Sequence, residues 1–303
     1  MIIRFLFIPV CLMLFVAGNM VGRTYLHANT SPAVLGVTVA ATSGGSENTL
    51  TLIENSATTI YAHGTITDAD GCEDVVTNGS VAGVFYRSNH LNGASCSADN
   101  NDCYAVTNAN CAKTGCDGPG DTTFSYECTA NIQYYADSTT AGPHTESNWT
   151  ARITATDAST ATGNGSDTIE IDTTVALNLT PTINYGTFDL GAQSAEQAQT
   201  ITNTGNSGID IDLSASGDMS CTSGVVPAGN ARYALSSDFD YDSATALSTT
   251  PTELELNLTN RTNDGAESTK NTHYKLKYPT TGVGGTCSNT LTVTARADTE
   301  NGW

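Results

Sequence analysis

The sequence predicts an all-β chain of two tandem β-sandwiches behind an N-terminal export segment. Three observations carry this reading. Short runs of alternating apolar and polar residues recur from about residue 34 onward, Gly and Asn turn signals separate them, and the cysteines beyond the leader divide six and two between two sets of runs. Charged residues make up only 14% of the 303 residues, so polarity comes mainly from Thr, Ser, Asn and Gly, which suit strands and turns better than long solvent-facing helices. That length exceeds one ordinary sandwich and fits two domains plus a leader.

Residues 1–28 are set apart from the fold. The run FLFIPVCLMLFVA (Phe5 to Ala17) follows a single positive charge, Arg4, in the pattern of a secretory signal, with cleavage after Gly18 or after Ala28. The rival is an uncleaved anchor, because extension through Met20 and Val21 nearly reaches the roughly 20 residues of a spanning helix. Cys11 lies inside the apolar run instead of ending it, unlike a lipoprotein cysteine. Beyond it remain Cys72, Cys96, Cys103, Cys111, Cys116 and Cys128, then Cys221 and Cys287. Export to an extracellular or envelope location lets such thiols persist as disulfides. Six cysteines allow 15 pairings; the reading taken is Cys96 with Cys103, Cys111 with Cys116 and Cys72 with Cys128, beside Cys221 with Cys287. A zinc site at Cys96, Cys103, Cys111 and Cys116 is the competing account, but the paired CxxC knuckles are missing.

The first domain, residues 29–177, offers seven strand-like runs: VLGVTVA, TLTLI, TTIYAHGTIT, VAGVFYRS, YECTANIQYY, NWTARITATD and DTIEIDTTVAL. Seven is the strand count of an immunoglobulin-like sandwich. Trp149, Ala151, Ile153 and Ala155 alternate with Thr150, Arg152, Thr154 and Thr156, which makes Trp149 a core anchor. Between the fourth and fifth runs, the polar stretch 89–123 carries four cysteines and no apolar period, and is expected as an ordered, stapled excursion that offers a binding surface.

The second domain, residues 178–303, shows the clearest alternation. Ile209, Ile211 and Leu213 oppose Asp210 and Asp212, Leu254, Leu256 and Leu258 repeat the pattern, and Tyr274 with Leu276 and Leu291 with Val293 extend it. Thr204-Gly205-Asn206-Ser207-Gly208 reads as the turn of a hairpin between AQTITN and GIDIDLS.

GTITDADGCEDV (Gly64 to Val75) with NWTARITATDAS (Asn148 to Ser159) resembles bacterial surface sandwiches of PKD-like or immunoglobulin-like type. YGTFDLG, TITNTGNSGIDIDLS and VGGTCSNTLTVTA resemble tandem sandwich modules of exported bacterial and archaeal envelope proteins. The resemblance implies two immunoglobulin-like sandwiches acting as spacers, adhesins or docking surfaces. The cysteine-bearing excursion departs from a plain spacer.

Asp68, Asp70 and Asp74, with Glu73 beside them, crowd one short turn around Gly71, and Asp157 ends a strand that can reach the same end of the sandwich. Hard carboxylate oxygens in that number suit Ca²⁺, although DxDG stops short of the twelve-residue loop; an ordinary Asp/Gly turn is the plain alternative. No G-x-S-x-G, HExxH or Cys–His arrangement stands out, so no catalytic residue is assigned, although carboxylate pairs of a secreted hydrolase are not readable from spacing. Sequons fall at Asn78, Asn148, Asn164, Asn178, Asn257 and Asn260. The balance of 31 acidic against 11 basic residues, net −20, disfavours nucleic acid and anionic lipid. The expectation is therefore a non-catalytic structural or adhesive protein that binds a cell-surface protein or glycan through the cysteine-rich sandwich. A calcium-dependent carbohydrate- or protein-binding module is the alternative, and membrane contact arises only through an uncleaved N-terminal segment.

Overall fold

A computed structural model describes residues 28–88, 96, 101–118 and 120–300. The leader and anchor readings and Cys11 lie outside these residues, and no helix among them is long and apolar enough to cross a membrane.

The chain is all-β. In chain order its first half holds β1 (Ala33–Ala40), β2 (Thr49–Leu50), β3 (Thr58–Thr67), a short helix α1 (Cys72–Val76), β4 (Ser80–Arg87), β5 (Cys103–Val106), β6 (Cys111–Thr114), β7 (Thr123–Ile132), β8 (Trp149–Thr156) and β9 (Thr162–Ile171). They form two sheets, β1-β3-β7-β6 and β2-β9-β8-β4-β5. Period-2 burial follows the sequence pattern: in β8 every apolar residue from Trp149 to Ala155 is buried and every intervening residue half-buried. Trp149 is fully buried, stacks on Phe85 with ring centroids 4.9 Å apart, and donates its indole N–H to the Asp137 carbonyl at 2.8 Å. The indole thus satisfies its one polar atom at the centre of the core.

Two corrections concern the stretch 89–123. Its described part is no mere excursion, because β5 pairs with β4 and β6 pairs with β7, so this segment crosses from one sheet to the other. Tyr104, Val106 and Cys111 belong to the core. Four-residue strands carry too few alternations for a periodic signal, and the buried contacts come from the opposite sheet. The bonds also differ from the expected set. Cys96–Cys103 and Cys221–Cys287 form as read, but Cys72 bonds Cys116 and Cys111 bonds Cys128. Cys111 faces Cys128 directly across the β6–β7 ladder, Cα atoms 3.9 Å apart, whereas Cys72 sits on α1 beside the turn after β6. The final run of this half also divides: β9 begins at Thr162 and ends at Ile171.

The second half holds β10 (Leu177–Leu179), β11 (Gln197–Asn203), β12 (Ile209–Ala215), β13 (Met219–Ser223), β14 (Val225–Val226), β15 (Ala231–Ala234), β16 (Thr245–Ala246), β17 (Thr252–Leu258), β18 (Thr269–Leu276), β19 (Gly284–Ser288) and β20 (Leu291–Ala297). Sheets β10-β11-β18-β15-β16 and β17-β12-β20 enclose a second core that includes Ile209, Ile211, Leu213, Leu256 and Tyr274. A third ribbon, β14-β13-β19, carries Cys221 opposite Cys287. The expected hairpin is absent: β11 and β12 lie in different sheets, so residues 204–208 form an arch between layers. The arch is held internally, since the Asn203 side chain donates to the Ser207 and Leu258 carbonyls at 2.7 and 3.2 Å and accepts the Gly205 amide. Turn composition fixes a reversal but not whether the reversal stays in one sheet.

Candidate functional site

At one end of the first sandwich the fold gathers Asp68, Asp74 and Asp157, each presenting a carboxylate oxygen within 4.8 Å of the others. Asp68 follows β3, Asp74 sits on α1 and Asp157 follows β8; β3 and β8 belong to opposite sheets, so the group bridges the layers. Asp68 is 1% and Asp157 2% exposed. Asp70, read as a fourth member, turns elsewhere: its own amide donates to Asp68 Oδ1 at 2.9 Å, and its carboxylate accepts the Thr30 amide at 2.6 Å.

Local chemistry holds this arrangement. The Asp68 amide donates to the Thr122 carbonyl at 2.8 Å, the Cys72 amide to the Asp121 carbonyl at 2.7 Å, and the Cys72–Cys116 bond fixes α1. Gly79 is required for close approach, because a Cβ there would meet the Thr156 carbonyl oxygen at 2.0 Å. Asp157 Oδ1 accepts the Ala161 amide and Oδ2 the Asn29 side-chain amide, both at 2.8 Å. Asp68 Oδ2 is buried with no hydrogen-bond partner among the described residues. Burial chiefly, then the charges of Asp74, Asp70 and Asp157, pushes the Asp68 carboxyl above the usual carboxylate range, against the lowering effect of the Asp70 amide. The Asn29 amide chiefly holds Asp157 below that range, assisted by the Ala161 and Ser159 amides.

A second carboxylate group, which sequence reasoning missed, joins Asp210 on β12 to Glu253 and Glu255 on β17. It already has cationic and amide partners: Arg296 lies 3.0 Å from Glu253, and the Asn257 amide donates to Asp210 at 2.7 Å. Strand alternation places Asp210 on the wet face, yet it is 2% exposed, beside the irregularity where β17 pairs with β12. A cleft of about 510 Å³ in the second half, lined by Ile183, Tyr185, Met219, Tyr278 and Leu291, was also invisible in the sequence.

The junction of the two halves is a further built feature. Asn206, 1% exposed, donates its side-chain amide to the Ala136 and Asp172 carbonyls, both at 3.0 Å, and accepts the Thr174 amide at 2.7 Å. The Asn55 amide donates to the Thr204 carbonyl at 3.1 Å. Tyr134 donates to Glu267 at 2.9 Å, Tyr135 donates to Asp264, and the Arg261 guanidinium lies 4.9 Å from the Tyr135 ring centroid. Gly205 approaches so closely that a Cβ would meet the Thr174 carbonyl oxygen at 2.1 Å.

No protein-family model and no curated protein matches the chain. Among solved structures it is similar to the CsuC–CsuE chaperone–tip adhesion subunit complex of Acinetobacter baumannii Csu pili, with 12% identity over 82% of this chain and 96% of that one and a TM-score of 0.34. It is also similar to the Yersinia pseudotuberculosis adhesin InvE, with 13% identity over 86% and 55% and a TM-score of 0.26. Dimeric latent PorU of Porphyromonas gingivalis shares 11% identity over 88% and 20%, with a TM-score of 0.27. At TM-scores below 0.5 these likenesses decide no question of function.

Proposed function

We propose that this chain is a non-catalytic extracellular or envelope protein of structural or adhesive kind, with two sandwiches joined into a stiff pair that displays a binding surface. Four disulfides accord with an oxidising compartment. The observation that carries the reading is the junction. A buried asparagine that satisfies three backbone groups across two halves, flanked by two tyrosine–carboxylate bonds, restrains a hinge where a flexible linker would leave the modules independent. Stiffness is what a spacer or a presenting stalk requires.

The displayed surface is the cysteine-bearing region of the first sandwich. There β5 and β6 occupy the outer edges of the two sheets, so their unpaired sides face outward among the described residues, and exposed Ala105, Ala112 and Thr114 lie along them. The partner we assign to it is a cell-surface protein or glycan. Purified disulfide-bonded protein is expected to bind whole cells or a glycan array. Replacement of Ala112 and Thr114 by glutamate should abolish that binding with no change in melting temperature. Retained binding would remove this surface from the reading, and turnover on a hydrolase panel would remove the non-catalytic assignment.

A further inference from the structure

We propose that Asp68, Asp74 and Asp157 hold one Ca²⁺ ion that fastens the two sheets of the first sandwich to each other and to the lead-in at Asn29. The three oxygens come from separate segments, yet they converge within 4.8 Å of one another. Ligands on opposite sides of a Ca²⁺ ion lie about 5 Å apart at the usual 2.3–2.6 Å bond lengths, so this spacing fits a single coordination shell. The group lacks any other counter-charge: no Lys, Arg or His among the described residues pairs with any of the three. Like charges packed together out of water are costly unless a cation joins them. The second observation is Asp68 Oδ2, an acceptor in a side chain 99% buried that no donor among the described residues satisfies. A buried acceptor without a partner marks a place for something the chain itself does not supply. The contrasting group at Asp210, Glu253 and Glu255 already has Arg296.

Donor chemistry selects the ion. All three side chains offer hard oxygen and none offers nitrogen or sulfur, which disfavours Zn²⁺. Carboxylates drawn from a strand end, a short helix and a second strand end suit the irregular six- to eight-oxygen shell of Ca²⁺ better than the near-ideal octahedron of Mg²⁺. The ion would bridge the end of β3 to the end of β8, and through the Asn29–Asp157 bond it would hold residues 29–32 on the sandwich. Gly163 shows how closely that lead-in lies, since a Cβ there would meet the Pro32 carbonyl oxygen at 1.8 Å.

The test uses the whole disulfide-bonded protein. Calorimetric titration with CaCl₂ should give one site with a Kd of about 10⁻⁴ to 10⁻³ M, the range of extracellular modules. Free Ca²⁺ at a hundredfold above Kd should raise the melting temperature by roughly 4–5 °C over EDTA. MgCl₂ should do much less. Asp68→Asn and, independently, the half-buried Asp74→Asn should abolish the shift while melting in EDTA no lower than the parent protein, and Glu255→Gln should keep it. Proteolysis at residues 28–32 should slow with Ca²⁺. Equal melting with Ca²⁺ and EDTA, a shift that survives Asp74→Asn, or one lost in Glu255→Gln instead would each overturn the assignment.

Discussion

Replacing Asn206 by alanine tests the junction most directly. The change deletes both donors that satisfy the Ala136 and Asp172 carbonyls and the acceptor that satisfies the Thr174 amide, at a side chain 1% exposed. Each buried backbone group left without a partner costs on the order of 1–3 kcal/mol, and water entering the vacated space recovers part of that. The expected loss is about 3 kcal/mol, or roughly 5 °C in melting temperature if the chain unfolds as one unit. Because the bonds cross between halves, the loss should take a particular form. A single unfolding transition should divide into two, and the maximum dimension in small-angle scattering should broaden as the halves separate. Calorimetry and scattering on parent and variant provide the assay. A loss below about 1 kcal/mol together with an unchanged scattering curve would show that the arch only covers the junction and does not hold it.

Other outcomes follow from the first core. Arg87→Met leaves Asp137 buried without its guanidinium, which lies 2.9 Å away, and should cost about 3–5 kcal/mol at pH 7 by chemical denaturation. Burial already pushes the Asp137 carboxyl up to about 6 despite Arg87, so the folded form takes up its proton before the unfolded form does. Its contribution therefore grows as pH falls from 6 towards 4, and the cost of Arg87→Met should shrink at pH 5. Trp149→Ala should cost about 3–5 kcal/mol, whereas Trp149→Phe keeps the stack on Phe85 and loses mainly the bond to the Asp137 carbonyl. A non-reducing peptide map should recover Cys72 joined to Cys116 and Cys111 joined to Cys128; recovery of Cys72 with Cys128 would contradict the β6–β7 ladder.

Much of the architecture was legible because it is written locally. Alternation over eight residues placed Trp149 and its neighbours on a buried face, and the LTVTARA run of β20 read as a strand for the same reason. The even set of cysteines from Cys72 onward announced disulfides. At the candidate site, Asp68 and Asp74 stood out through crowding on one turn, and Asp157 through its place at a strand end. The sequence could not show that Asp70 turns away, since that depends on the Thr30 amide arriving from 40 residues earlier.

What the chain determined by itself was which segments extend and which side of each meets the core, because a period of two is a property of neighbouring residues. Tertiary structure alone decided which strand lies beside which. It sent β11 and β12 to separate sheets, put Cys111 across from Cys128, and recruited four-residue strands whose burial is supplied from the opposite layer. Such choices are fixed by the packing of distant segments, and a turn of Gly and Asn serves equally well whether the chain doubles back within a sheet or arches over to the next.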